Sequence, residues 1–237
     1  MSTYQDLNIL KDDDPLFEAC KKGDVKMVRE YLKAGGSAYA ASENNSHLAA
    51  FALEYGHIEL VAVMLDYDLR INAPINRFGE TPIGRAASKG HFQIVKYLLE
   101  KEADVNYCSA EYECSPFVNA CAGSPIEIVK LMLEAGGDVH DRRYQGNTPM
   151  RQASRNNQVP IMELLFQAGA RIDEADNTKT TPLIGAAKGG KLDAVKWLLD
   201  HGADINAEDE RGKTAVDWAK ANGHTKIIEL LQERLGS

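Results

Sequence analysis

The chain has 237 residues, 44% hydrophobic and 26% charged, so it can bury a full core without metals or crosslinks. Its formal net charge of -8 argues against a nucleic-acid backbone or an anionic membrane surface as the principal partner. No stretch is apolar enough to span a membrane, and the acidic start with Asp6, Asp12, Asp13 and Asp14 lacks the basic and apolar blocks of a signal peptide, which points to the cytoplasm.

Residues 1–13 read as an N-terminal leader and 14–237 as a single domain built from an internal repeat. A glycine or substitute closes a first helix at Gly23, Gly56, Gly90, Ser124, Asn157, Gly190 and Gly223, at intervals of 33 or 34 residues. Nine residues before each lies a helix start: Asp14, His47, Thr81, Ser115, Thr148, Thr181 and Thr214. All but His47 can cap a helix, and in four repeats the cap is a Thr or Ser followed by proline at the first helical position, where no N–H is needed. Small pairs such as Ala86-Ala87 and Ala186-Ala187 then let a neighbouring helix approach. A second helix follows the turn, with adjacent apolar pairs one turn apart, as in Ile94, Val95, Leu98 and Leu99. The repeats run over about 10–42, 43–75, 76–109, 110–142, 143–175, 176–208 and 209–237, the last reading as a cap with a polar outer face.

Gly79-Glu80-Thr81-Pro82-Ile83, Lys89-Gly90-His91 and Ala103-Asp104-Val105-Asn106 resemble the ankyrin repeat, in register over roughly residues 10–235. The resemblance implies an all-α solenoid of stacked helix-turn-helix units with β-turn fingers, a concave groove formed by fingers and first helices, and protein binding. The chain departs from the family in lacking the histidine two residues after the proline, so the inter-repeat hydrogen bonds of that histidine need a replacement. Repeat two has His47-Leu48 in place of Thr-Pro, and repeat four has Glu113 where the finger glycine is expected.

Chemistry finds little support in the residues. His57, His91 and His224 follow turn glycines a repeat or more apart, a structural pattern, and no nucleophile, phosphate-loop or metal-protease motif is present. Cys20 and Cys121 fall at small-residue helix positions and read as reduced packing residues, while Cys108 and Cys114 lie in a loop. We therefore expect no catalytic, metal or cofactor site. The informative surface is the finger row and the groove side of the first helices, rich in the Tyr and Arg that favour binding hot spots. The candidate partner-binding residues are Tyr55, Arg77, Phe78, Arg85, Lys89, Glu111, Tyr112, Arg142, Arg143, Tyr144, Arg155, Asn177 and Lys188. The expected partner is a protein with an acidic or mixed-charge patch opposite repeats three to five, bound by a chain that is monomeric on its own. An alternative is an inhibitor or immunity-type protein that occludes a cognate toxin or enzyme.

Overall fold

The Thr-Pro signature produces what its chemistry requires. In the computed structural model, which describes residues 9–11, 13–43, 46–108, 115–142 and 145–236, the helix-start side chains accept hydrogen bonds from the first turn. Asp14 binds the amide of Leu16, Thr81 that of Gly84, Thr148 that of Arg151 and Thr181 that of Ile184. Thr214 forms a reciprocal capping box with Asp217. His47 supplies no side-chain cap.

The described residues form fourteen helices in seven pairs. The pairs are α1 (Pro15–Lys22) with α2 (Val25–Lys33), α3 (Leu48–Tyr55) with α4 (Ile58–Tyr67), α5 (Pro82–Ser88) with α6 (Phe92–Glu100), and α7 (Pro116–Ala120) with α8 (Ile126–Glu134). They continue with α9 (Pro149–Arg155) and α10 (Val159–Gln167), α11 (Pro182–Lys188) and α12 (Leu192–Asp200), and α13 (Ala215–Ala221) and α14 (Thr225–Leu235). This is an all-α repeat solenoid, and its contacts fall into two compact units, Met1–Pro116 and Phe117–Ser237. In the first unit α1, α3 and α5 stack in series, as do α2, α4 and α6. In the second, α9, α11 and α13 form one row and α8, α10, α12 and α14 the other.

The cores are those the apolar pairs imply. Ile94, Val95 and Leu98 are buried, as are Ile128, Val129 and Met132 in α8 and Ala194, Val195 and Leu198 in α12. Cys20 and Cys121 are buried among them, and burial pushes the Cys20 thiol up to about 12 and Cys121 still higher.

Two features differ from the sequence reading. Positive φ occurs at Gly23, Gly56, Gly90, Asn157, Gly190 and Gly223, but Ser124 is not among the left-handed residues. It precedes Pro125, whose ring restricts the preceding residue towards extended conformations, and α7 already ends at Ala120. Within the leader, Ile9–Leu10 form β1, which pairs in parallel with β2 at Ala41–Ser42.

Side-chain bonds between repeats come from the starts of the second helices. His57 Nε2 lies 2.7 Å from the Lys21 carbonyl, His91 Nε2 2.8 Å from that of Glu54, and His224 Nε2 3.2 Å from that of Lys188. Facing a carbonyl, each Nε2 carries the proton and donates it. Each bond ties a second-helix start to the end of the preceding repeat's first helix, on the backbone groups that a helix C-terminus leaves free. Where Lys191 replaces the histidine, Asn157 reaches forward instead, and its Oδ1 accepts from the Ala194 amide at 3.0 Å.

Candidate functional site

In the first unit the third finger is built on Asn76, whose Oδ1 accepts from the amides of Phe78 (3.0 Å) and Glu80 (3.2 Å). This turn of the asparagine onto its own backbone, closed by Gly79 at φ 73, holds Phe78 outward with 69% of its surface exposed. Arg77 lies over the Phe78 ring at 4.9 Å. Tyr55, at the end of α3, is half exposed.

Arg85 and Lys89 are placed differently from free groove cations. Arg85 bridges Glu54 at 2.7 Å and Glu80 at 3.1 Å, and Lys89 meets Glu54 at 2.8 Å. The hydrogen bond from Lys89, opposed by partial burial and helped by Arg85, holds the Glu54 carboxyl below the ordinary carboxylate range. Two cations and two carboxylates neutralise one another here.

In the second unit Arg142 donates to the Ala175 carbonyl at 2.9 Å and lies 3.6 Å from Glu174. Arg151, half-way into the protein, pairs with Asp176 at 2.7 Å. Asp176 also accepts from the amides of Thr178 and Thr180 and so shapes the sixth finger. Asn177 on that finger is exposed, and its amide donates to the Gln145 carbonyl of the preceding finger. Beside these residues opens a cavity of about 840 Å³ lined by Arg142, Phe166, Arg171, Glu174 and Lys179 among others. Arg155 is exposed and has no ion-pair partner among the described residues. Lys188 lies with its ammonium 4.0 Å from the centre of the Trp218 ring.

Glu111, Tyr112, Arg143 and Tyr144 lie outside the described residues. The structure brings together Arg77 with Phe78 and Arg85 with Lys89, the first pair exposed and the second internally paired. Trp218 was missed, together with Lys213 and Arg211 around it. The signal was available: Trp218 stands four residues after Thr214, the place that Arg85 holds after Thr81.

Among the described residues no group of three or more His, Cys, Asp or Glu side chains could hold a metal, and no helix is long and apolar enough to cross a membrane.

Comparison with known families accounts for this architecture. A profile described as ankyrin repeats (3 copies) matches residues 16–109 and 170–237, and a second, ankyrin repeats (many copies), matches 86–133 and 117–166. The chain belongs to the ankyrin repeat family. Ankyrin repeats are protein–protein interaction modules, and the family is typically non-enzymatic. No curated protein matches the chain. The ankyrin frame explains why the side chains with no structural duty fall on fingers and first helices, since stacking is carried by the buried small pairs and second-helix stripes.

Proposed function

We propose that this ankyrin repeat chain is a non-enzymatic module that holds a partner protein through finger tips and the adjoining first-helix side chains. The observation that carries the reading is Phe78: a large aromatic with 69% of its surface in water, fixed on a turn that its own asparagine rigidifies. An exposed aromatic on a preset backbone turn loses less backbone entropy on contact and buries a large area, the character of a binding anchor. Arg77 over its face adds a polar rim that remains useful in a partly dry contact. Arg85 and Lys89 belong to the support of this surface, because recruiting them would break the pairs with Glu54 and Glu80.

The test is site-specific photo-crosslinking in native lysate. A photo-reactive amino acid at position 78 is expected to capture one discrete protein, while the same group at Lys96 on the exposed side of α6 captures none. Equal capture at both positions, or capture at neither, would sink the reading.

A further inference from the structure

One register position has neighbours of opposite charge in the two units. In repeat three the first-helix residue four after the cap, Arg85, meets Glu80 at the base of its own finger and Glu54 from the preceding repeat. In repeat seven the same position is Trp218. The same two neighbours are now lysines: Lys213 from its own finger, with Nζ 4.7 Å from the ring centre, and Lys188 from the preceding repeat, at 4.0 Å. Arg211 adds a third cation at 6.0 Å. Where an arginine meets two carboxylates in repeat three, an indole lies near two ammoniums in repeat seven.

The carboxylates near this cluster have other duties. Asp209 Oδ2 accepts from the indole N–H at 2.8 Å, and its Oδ1 accepts from the amides of Arg211 and Lys213. Burial works against its ionisation, but those bonds and the charge of Arg211 outweigh it and keep Asp209 below the ordinary range. Asp217 is engaged in the capping box, held ionised first by the Thr214 amide and hydroxyl and, more weakly, by the charges of Lys220 and Lys213. Glu208 and Glu210 stand on the finger without pairing to Lys188, Lys213 or Arg211. Among the described residues none of these three cations makes an ion pair.

The surface also continues into repeat six. Arg155 holds the place of Lys188 one repeat earlier and is likewise unpaired, and Gly185 holds the place of Trp218. A Cβ added at Gly185 would meet nothing within 4 Å, but Gly185 itself is buried, so repeat six presents no side chain at this position.

We infer that the surface of Lys188, Trp218 and Lys213, extended by Arg211 and Arg155, docks an acidic segment of a partner protein. Its carboxylates meet the two ammoniums beside the indole, and its aliphatic stems lie against the half-buried indole. An ammonium on an indole face can keep most of its attraction to the ring while accepting a carboxylate. At Arg85 the same carboxylate would first have to displace one already bound. The inference deepens the proposed function and rests on its protein-binding reading, but moves the acidic contact from repeats three to five to repeats six and seven.

The experiment is fluorescence anisotropy of labelled octaglutamate with the full chain. Binding is expected at about 50 mM salt and should weaken markedly at about 300 mM, as contacts between exposed charges are screened. The double substitution Lys188→Met and Lys213→Met keeps the apolar stems and should weaken binding about ten-fold or more, a loss of about 1.4 kcal/mol. Lys196→Met, on the other helix row, should leave it unchanged. Matched far-ultraviolet dichroism and melting of the variants exclude unfolding as the cause. Absence of octaglutamate binding at low salt, or equal affinity in wild type and the double variant, overturns the inference. Equal affinity for an eight-residue thymidylate does so too, because the site would then be a general anion patch. If octaglutamate fails while position 78 still captures a partner, this inference falls and the binding reading stands; if position 78 also fails, both fall.

Discussion

His47 is the residue at which sequence departs most from the repeat and where the chemistry is least comfortable. Its side chain is buried, caps nothing, packs edge-on against Tyr39 at 5.6 Å between ring centres, and leaves Nδ1 without a hydrogen bond. Burial lowers its pKa from the ordinary 6.5. A folded value below the unfolded one means that the unfolded chain takes up the proton first, so stability is retained above about pH 6.5 and is lost as pH falls below it. Urea unfolding from pH 8 to pH 5 should show this loss, and His47→Phe, which keeps a ring and removes the titration, should flatten the curve; parallel curves would exclude His47 as the source. A second residue-scale case is Glu102. It sits at φ 63 in the loop position where Gly35, Gly136, Gly169 and Gly202 have φ between 85 and 93. No Cβ contact is made at those glycines, so the difference is conformational alone. Glu102→Gly should relieve about 1 kcal/mol of left-handed strain, and Gly202→Ala should introduce about the same, both read from the shift in urea midpoint.

At the scale of the element, the turn and the histidine after it form one device that joins successive repeats. A Cβ at Gly56 would meet His91 Cε1 at 2.8 Å, and at Gly190 it would meet His224 Cε1 at 2.7 Å, closer than real side chains approach. The glycine therefore answers two needs, positive φ and room for the ring of the next repeat. Gly56→Ala alone should cost about 2–3 kcal/mol, combining backbone strain with displacement of His91. His91→Ala should cost about 1 kcal/mol for the lost bond to the Glu54 carbonyl. In the double variant the clash has no partner, so the sum of the single effects should exceed the measured total by about 1 kcal/mol or more. An additive cycle would refute the coupling. The glycine intervals and cap residues were legible because backbone conformation and orphan amides act locally, within the turn that carries them. The coupling was half legible: the histidines read as structural from their position, but not as donors to a carbonyl some 36 residues earlier. Ser124 was read as a substitute for the turn glycine from its interval alone, without the restraint that Pro125 places on it. The internal pairing of Arg85 was hidden for another reason. Arg85 looked available as a single letter, whereas its neutralisation by Glu54 needs residues of two repeats laid side by side.

For the molecule as a whole, a stack in which each repeat touches only its neighbours has a stability that is a sum of repeat and interface terms, so weakness stays where it arises. Repeats one and two are the place to expect it. α3 starts without a side-chain cap, an omission that costs about 1 kcal/mol relative to a Thr start, and the orphan nitrogen of His47 adds its desolvation to the same interface. Repeat six has the opposite character: Thr181 caps α11, Pro182 is preset at the first helical position, and Asn157 satisfies the start of α12 from outside. Native-state hydrogen exchange should therefore give amides of α3 and α4 a lower opening free energy than those of α11 and α12, with a gap of about 1–2 kcal/mol. The ordering carries the argument more than the size of the gap. Slower exchange in α3 than in α11 would show that apolar burial of Leu48, Leu53, Leu60 and Met64 outweighs the missing cap. Thr181→Ala supplies the reciprocal check: it should speed exchange in α11 and the helices stacked on it by the equivalent of about 1 kcal/mol, and leave α3 unchanged, because in a stack the loss of one cap is felt by adjacent repeats and decays beyond them.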